Sequence, residues 1–258
     1  MKNRVDNIDS VELNVTELCN RKCWFCPRSD PKVYRNQDKH MSIETFQHVS
    51  DALLKSNYKG RIHISGFSEP IYCKYLFEGL EILTKNFNVN MITNGDRLTV
   101  DILKKLDTFN LNRIKIDLYD GEHQLEKINK LLKDSNYSNY VFINKVYEKE
   151  NDKLGFYNRA GTSKFESNLG KNIDRSCFVP FYKVMIDWTG NYLLCMSDWH
   201  RQSDISKSGY NVKNLTLEEY LNSDLFNQFR KSMKESKRKN LTPCKSCDID
   251  GQLAGNLW

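Results

Sequence analysis

The sequence has no long hydrophobic run. Its longest uninterrupted apolar stretch covers only residues 192–196, whereas a membrane-spanning helix needs about 20 such residues. The N-terminal segment MKNRVDNIDS lacks the apolar core of a signal peptide. With 5 Pro and 12 Gly among 258 residues, collagen-like and proline-rich architectures are excluded. We therefore expect a cytoplasmic globular protein without a membrane span.

The charge balance is mildly basic. Lys and Arg total 39 against 33 Asp and Glu, which gives a net charge of +6 at pH 7. Basic residues concentrate in the segment 230–245, where Glu235 is the acidic residue. We interpret this run as a solvated helix face and loop, with attraction to an acidic substrate or partner as the alternative. Nucleic-acid binding is not expected, because no interleaved aromatic pattern accompanies the charge.

Short strand-like and helix-like segments alternate through the first 150 residues. Period-2 alternation predicts the strands, and apolar residues at helical spacing predict helices between them. The predicted strands cover 11–16, 61–65, 89–93, 113–118 and 140–147, and the predicted helices cover 42–54, 75–85, 99–106 and 125–132. Such alternation indicates an α/β fold with a parallel sheet. We expect a partial, TIM-like (βα)6 barrel that binds ligands at the carboxyl ends of its strands.

The pattern changes after about residue 150. Residues 184–188 and 191–195 flank the dipeptide Thr189-Gly190, which predicts a β-hairpin. One continuous helix is predicted over residues 217–234. We therefore expect a first domain over residues 1–160 and a second, smaller domain over residues 161–258.

Three of the eight cysteines follow the first predicted strand at close spacing. Cys19, Cys23 and Cys26 form a C-x3-C-x2-C loop, CNRKCWFC. Without an export signal, clustered cysteines indicate metal binding rather than disulfides. Soft thiolates select iron–sulfur clusters or zinc. Three thiolates leave one iron of a four-iron cluster open, whereas a structural zinc site needs a fourth ligand, for which His40 is the nearest candidate.

Four further cysteines lie in the C-terminal third of the chain. Their pattern is C-x17-C-x48-C-x2-C, formed by Cys177, Cys195, Cys244 and Cys247. Four thiolates suffice to close either one [4Fe–4S] cluster or one zinc site. Cys73 belongs to neither set. The simplest interpretation is a packed thiol near the start of a helix.

The CNRKCWFC loop resembles that of the radical S-adenosylmethionine (SAM) superfamily. GFSEP at residues 66–70 resembles the superfamily's GGEP motif, with Phe67-Ser68 replacing a glycine, and TNG at residues 93–95 resembles its third-strand motif. The resemblance implies that residues 1–160 form a radical SAM core and that the first three cysteines hold a [4Fe–4S] cluster whose open iron binds SAM. It also implies a SAM-binding set made of Gly66, Ser68, Glu69, Asn94 and Asp117.

The C-terminal cysteine pattern resembles the twitch domain, a shortened relative of the SPASM domain. This resemblance implies that residues 161–258 hold an auxiliary [4Fe–4S] cluster on all four cysteines. Among twitch enzymes the chain resembles the 2-deoxy-scyllo-inosamine dehydrogenase family, in which a segment similar to YNRAG at residues 157–161 places an arginine against the substrate hydroxyl. The resemblance assigns that position to Arg159. Asp198 and Trp199 follow Cys195 and are candidate substrate contacts.

These resemblances imply a radical SAM oxidoreductase. A 5′-deoxyadenosyl radical would oxidise a secondary alcohol of a carbohydrate or aminocyclitol-like molecule to a ketone, and the auxiliary cluster would accept the second electron. The alternatives are an epimerase in which Cys73 returns the hydrogen atom, a maturase of a ribosomally made peptide, and a metal-bearing binding module. A flavodoxin or ferredoxin is the expected reductant, and neither nucleic acid nor membrane is an expected partner.

Iron and sulfide content distinguishes clusters from zinc. We expect about eight irons per chain after anaerobic reconstitution, because each cysteine set would hold one four-iron cluster. Replacing Cys19, Cys23 and Cys26 together by Ala should leave about four irons on the second set. A fall from four irons to none, with zinc retained by the C-terminal cysteines, would contradict the auxiliary cluster.

Overall fold

A computed structural model describes residues 4–149, 156–163, 174–249 and 251. Its centre is a seven-stranded sheet with the order β5-β4-β3-β2-β1-β6-β7. The strands are β1 Ser10–Asn14, β2 Arg61–Ser65, β3 Asn88–Thr93, β4 Leu111–Leu118, β5 Val141–Lys145, β6 Lys183–Ile186 and β7 Tyr192–Leu193. All neighbouring pairs are parallel except β6 with β7. The expected α/β fold with a mostly parallel sheet is confirmed.

Helices cover the sheet and connect its strands. They are α1 Ile43–Lys55, α2 Leu76–Thr84, α3 Val100–Asp107, α4 Glu122–Ser135, α5 Val179–Tyr182, α6 Asp204–Lys207, α7 Leu217–Asn222 and α8 Asp224–Lys234. Short 3-10 turns occupy Arg4–Asn7, Pro27–Ser29, Pro70–Tyr72, Val146–Lys149, Arg238–Asn240 and Cys244–Ser246. Among the helices of the described residues, none is both long enough and apolar enough to cross a bilayer.

The N-terminal half follows the predicted alternation closely. Each strand from β1 to β5 lies beside the preceding one, and α1 to α4 make the four crossovers. The predicted cap at Ser42 is present, since its side chain accepts a hydrogen bond from the Thr45 N–H at 3.1 Å. Val11 and Leu13 of the central strand β1 are completely buried. This burial explains why the strands are rich in β-branched and aliphatic residues.

The predicted hairpin is present, and its first strand lies in the main sheet. Met185 of β6 is opposite Leu193 of β7, while Val184 of β6 lies beside Val11 of β1 in parallel register. β6 is therefore the sixth parallel strand. The described part of the connection that precedes it contains the short helix α5. The boundary between residues 160 and 161 stays a prediction.

The prediction of one helix over residues 217–234 is wrong. Ser223 interrupts it with an extended backbone, φ −60° and ψ 147°, and caps α8 by accepting a hydrogen bond from the Phe226 N–H. A serine hydroxyl competes with the helical backbone for hydrogen bonds, which favours a cap over a helix interior.

Candidate functional site

A cavity of about 110 Å³ lies at the carboxyl ends of the parallel strands. The loops that follow β1, β2, β3 and β4 all contribute to its lining. It is lined by the first cysteine set and by four of the five residues predicted to bind SAM, namely Ser68, Glu69, Asn94 and Asp117. The structure thus brings together motifs that are separated by up to about a hundred residues of sequence.

The thiols of the first cysteine set lie close enough to influence one another. Burial and, to a smaller extent, the neighbouring thiolates of Cys26 and Cys19 raise the pKa of Cys23 to about 12. Three such thiols stay protonated at neutral pH unless a cation binds them, because a bound metal displaces the thiol proton. All-sulfur donors of this kind fit an iron–sulfur cluster.

Glu69 joins the GFSEP and TNG segments. Its carboxylate accepts hydrogen bonds from the Thr93 hydroxyl at 2.7 Å, from the Asn94 N–H at 2.8 Å and from the Ile71 N–H at 3.3 Å. Burial raises its pKa to about 7, although these hydrogen bonds act in the opposite direction. A buried carboxylate near neutral pKa gains most by meeting a cationic group such as an ammonium.

Asn14 determines the backbone geometry of the GFSEP segment. Gly66 has φ +99°, and a Cβ at this position would lie 2.9 Å from the Asn14 Cβ, so no other residue fits without movement. The side-chain oxygen of Asn14 accepts hydrogen bonds from the Phe67 N–H at 2.9 Å and from the Ser68 hydroxyl at 3.0 Å. The segment therefore holds a fixed turn despite its departure from two adjacent glycines.

Asp117 reaches the cavity from the end of β4. Its carboxylate accepts a hydrogen bond from the Asn144 side chain at 2.6 Å and lies 3.3 Å from the Lys115 ammonium. Tyr119 lines the same cavity two residues later, and the Arg21 guanidinium lies 5.0 Å from its ring centre. The sequence analysis missed Tyr119, which carries no motif around it.

The second cysteine set encloses a smaller cavity of about 20 Å³. All four predicted cysteines line it, together with Phe229 and Met233 of α8. Burial raises the pKa of Cys195, and the charges of Cys244 and Cys247 raise it further. The guanidinium of the buried Arg238 lies beside this set and donates hydrogen bonds to the Cys247 and Ile249 carbonyls, both at 2.9 Å.

Both cysteine sets offer the all-thiolate donors that iron–sulfur clusters take. A zinc ion needs four donors about 2.0–2.3 Å from one point. Each thiolate of a four-iron cluster instead binds a different iron, so that the sulfur atoms are held farther apart.

Arg159 and Tyr157 lie between the two cysteine sets. The Arg159 guanidinium lies 4.3 Å from the Tyr157 ring centre and donates a hydrogen bond to its hydroxyl at 2.6 Å. Arg159 is near enough to Cys26 to counteract the burial that raises the pKa of that thiol. The Tyr157 hydroxyl also accepts a hydrogen bond from Ser197 at 3.3 Å, next to the second set. This pair spans the space between the two candidate clusters.

A buried ionic network beneath the site was not foreseen from the sequence. The Glu17 carboxylate accepts hydrogen bonds from Arg201 at 2.6 Å, from Tyr34 at 2.7 Å and from Arg28 at 3.2 Å. Arg28 lies two residues after Cys26, and Arg201 follows the segment that begins at Cys195. Charged residues in a loop give no periodic signal, so only the tertiary structure reveals that they meet.

Two protein-family sequence models match the chain. The sequence model of the Radical SAM superfamily matches residues 13–147, which is more than half of the chain. The chain belongs to the radical SAM superfamily. The SPASM model, described as an iron–sulfur cluster-binding domain, matches residues 177–248. The protein is therefore a radical SAM enzyme, and its cofactors are SAM and iron–sulfur clusters, as the sequence analysis predicts.

Individual relatives agree with this assignment. The radical SAM enzyme is 26% identical over 243 residues to S-adenosyl-L-methionine-dependent 2-deoxy-scyllo-inosamine dehydrogenase of Niallia circulans, with 92% of each chain covered. It is 28% identical over 118 residues to GTP 3′,8-cyclase of Clostridium perfringens, which covers 43% of this chain and 34% of that one.

Solved structures support the fold. The crystal structure of BtrN in complex with AdoMet and 2-DOIA matches with a TM-score of 0.74 and 25% identity, covering 94% of each chain. SuiB of Streptococcus suis bound to S-adenosylmethionine matches with a TM-score of 0.52, covering 93% of this chain and 69% of that one. At 11% identity, this similarity shows a shared fold alone.

Cys73 and Asp198 differ in their position relative to the cavities. Cys73 ends the turn Pro70–Tyr72, packs in the main hydrophobic core and does not line the cavity. A thiol in that place is poorly positioned to donate hydrogen to a substrate. Both Asp198 oxygens accept hydrogen bonds within their own segment, including one from each of the Ser203 and Ser206 hydroxyls at 2.6 Å. Asp198 lines a neighbouring cavity of about 460 Å³, so its role as a substrate contact stays a prediction, although its oxygens already have hydrogen-bond partners.

Trp199 is buried against other aromatic rings. Its ring centre lies 4.3 Å from that of Phe67 and 4.9 Å from that of Tyr34. The indole N–H has no hydrogen-bond partner among the described residues. Trp199 lines both the cysteine cavity and a neighbouring cavity of about 460 Å³, so it forms the wall between them rather than an exposed stacking platform.

The pKa of Glu69 predicts the pH dependence of SAM affinity. If Glu69 binds the SAM ammonium, its carboxylate must be ionised. Below about pH 7 a proton on Glu69 competes with SAM for this carboxylate. SAM affinity of the reconstituted enzyme should therefore fall by up to about tenfold per pH unit below that point. Anaerobic equilibrium dialysis between pH 6 and 9 measures this.

The matched variants are Glu69→Gln and Glu122→Gln. The first should bind SAM weakly and without the pH dependence, because an amide does not titrate. The second replaces an exposed glutamate at the start of α4 and should behave as wild type. An unchanged pH profile in Glu69→Gln would contradict the role of Glu69.

Proposed function

We propose that this radical SAM enzyme oxidises a secondary alcohol of an aminocyclitol- or carbohydrate-like small molecule to a ketone. The observation that carries the proposal is the second set of four cysteines, connected to the first set through Tyr157 and Arg159. A closed thiolate set beside the reaction centre suits an electron acceptor. The likeness to an aminocyclitol dehydrogenase over 92% of both chains supports the same reaction class.

The bound cofactors would supply the radical that removes the carbinol hydrogen atom and an acceptor for the second electron. The substrate loses one hydrogen atom from carbon, one proton from its hydroxyl and one electron. These losses together convert the secondary alcohol into a ketone. The protein's own contribution is to hold the hydroxyl, to place it between the two cysteine sets and to exclude water.

The 460 Å³ cavity is the candidate substrate pocket. Its volume lies in the range typical of small-molecule sites. Ala160 and Gly161 line it, directly after Arg159, and Trp199 separates it from the SAM-binding cavity. Polar side chains such as Thr162 and Gln202 line the same space and suit a ligand rich in hydroxyl and amino groups.

Arg159 is the candidate residue for the substrate hydroxyl. A guanidinium stays protonated in proteins, so we assign it to orienting the hydroxyl and stabilising its oxyanion, while another group takes the proton. Its backbone is left-handed, with φ +49°, followed by φ +56° at Ala160 and φ +82° at Gly161. A run of such residues is costly and is typical of a turn held for function.

Epimerisation is disfavoured, because it requires a hydrogen donor in the pocket. Cys73 packs in the core and lines neither the SAM-binding cavity nor the substrate pocket. We therefore assign Cys73 to packing.

Isotope transfer tests this function. The reconstituted enzyme, a one-electron reductant and SAM are incubated with 2-deoxy-scyllo-inosamine and related aminocyclitols that carry deuterium at the carbinol carbon. We expect ketone and deuterated 5′-deoxyadenosine in equal amounts, because the carbinol hydrogen moves to the radical. Solvent deuterium in an unoxidised, configuration-inverted product would contradict the dehydrogenase.

Three variants refine the same assay. Arg159→Gln should lower the ketone yield by about 100-fold, since loss of one preorganised oxyanion donor has effects of that size. Arg159→Lys should retain part of the activity through its charge. Cys73→Ser should still oxidise the substrate. If this variant has a normal iron content but no longer forms product, the result would favour the epimerase.

A further inference from the structure

A basic groove lies at the end of the sheet opposite the SAM-binding cavity. It has a volume of about 710 Å³ and lies beside the N-terminal ends of β1 and β6, between the turn Arg4–Asn7, α5 and α8. We define the basic groove by its four cationic side chains, Arg4, Arg230, Lys231 and Lys234. The reaction proposed above does not use it.

The two arginines of the basic groove, Arg4 and Arg230, have no carboxylate partner among the described residues. The acidic residue in its lining, Glu235, pairs with Lys237 at 2.7 Å and also interacts with the charge of Lys231. Burial and, to a smaller extent, the charge of Arg4 lower the pKa of Arg230 to about 10. Two cations held together in this way are best stabilised by an anionic partner.

Aromatic rings hold the arginine in position. The Arg230 guanidinium lies 4.7 Å from the Phe181 ring centre and 5.0 Å from that of Phe226. Its exposed fraction is 8%, and its Nε has no hydrogen-bond partner in the described part of the chain. Lys231 and Lys234 are exposed on the same helix. The basic groove thus has a fixed charge at its base and mobile charges at its rim.

The basic groove adjoins the second cysteine set. Helix α8 directs Phe229 and Met233 to the cysteine cavity and directs Arg230, Lys231 and Lys234 to the groove. On the other side of the groove, Phe178 lines it directly after Cys177. The thickness of one helix, about 10 Å, therefore separates the groove from the candidate auxiliary cluster.

We propose that the basic groove docks an acidic one-electron carrier protein that exchanges electrons with the auxiliary site. This inference rests on the proposed function, in which oxidation of each alcohol leaves one electron at that site. The oxidised carrier would take up that electron, so that the carrier is reduced and the auxiliary site is oxidised for the next turnover. Cleavage of each SAM consumes one electron, and the reduced carrier can replace it, so the electron count balances.

The extent of the charge favours a protein over a small phosphate ligand. The basic run continues from α8 through residues 234–245, where Lys237, Lys239 and Lys245 are exposed. Such a surface steers an acidic protein to the groove and speeds its association, an effect that salt weakens. Transient redox complexes use small interfaces, which a patch of this size supplies.

The test measures binding, independently of catalysis. The holoenzyme is titrated anaerobically with a fluorescently labelled acidic flavodoxin at low and high salt, using the wild type, Lys231→Glu/Lys234→Glu and Lys127→Glu/Lys130→Glu. The control pair lies on α4 with the same three-residue spacing, also exposed, at the opposite edge of the sheet. We expect about tenfold weaker binding or more for the α8 pair and little change for the α4 pair.

Electron transfer provides a second measurement. The Cys19→Ala/Cys23→Ala/Cys26→Ala variant retains the auxiliary site alone, and stopped-flow spectroscopy follows reduction of the flavodoxin by its reduced form. Introducing the α8 charge reversals should slow this transfer at low salt and not at high salt. Because no substrate is present, a failure of the proposed dehydrogenase leaves this result unaffected.

Three outcomes would overturn the proposal. One is equal binding and equal transfer rates in wild type and the α8 variant. Another is an equal loss in the α8 and α4 variants, which would reflect net charge alone. The third is unchanged flavodoxin binding in the α8 variant together with lost binding of inorganic pyrophosphate, which would make the groove a phosphate site.

Discussion

The buried carboxylate of Glu17 is the interaction on which the site depends. It is 1% exposed and is neutralised by Arg28 from the first cysteine loop and by Arg201 from the segment after Cys195. An isolated buried carboxylate is unfavourable, so both arginines must be in place for this part of the chain to fold. Loss of either partner costs about 3–5 kcal/mol in comparable buried networks. One ionic network thus fixes the two cysteine loops relative to each other.

The sheet provides the frame for this arrangement. β1 pairs with β2 on one side and with β6 on the other, so the segments after all three strands meet at the same edge. Cys19 follows β1 and Glu69 follows β2 at this edge, whereas the chain after the antiparallel strand β7 returns to it at Arg201, which pairs with Glu17. Because parallel strands end together, residues far apart in sequence are brought into a single reaction space. The cofactors would supply the radical chemistry, and the fold determines where they are bound relative to each other.

The sequence was sufficient for the features with local signals. Close cysteine spacing, the GFSEP and TNG segments and the alternation of strands and helices predict the parallel sheet and the residues gathered around Glu69. The ionic network of Glu17 could not be predicted, because its members come from separate loops without periodicity. For Cys73 the sequence left packing and hydrogen donation open, and the tight turn after Pro70 directs that residue into the core, as the simpler interpretation expects.

Other features also depend on contacts that the sequence does not display. The serines that donate hydrogen bonds to Asp198 follow it within one loop, and a loop of short polar residues often pairs internally. The helix over residues 217–234 breaks at Ser223, because local capping outweighs continuous amphipathic spacing. The role of β6 as a central-sheet strand depends on its pairing with β1, a long-range contact that a local hairpin pattern does not contain.

Rapid freeze-quench EPR during a single turnover tests the central claim most directly. The claim is that the Arg159–Tyr157 pair holds the substrate between two clusters so that the second one receives an electron. With SAM and an aminocyclitol substrate, the account predicts that a reduced-cluster signal appears at the rate of ketone formation. SAM cleavage has by then oxidised the cluster on Cys19, Cys23 and Cys26, so this signal must come from the auxiliary cluster. Ketone formation without any reduced auxiliary-cluster signal would contradict it.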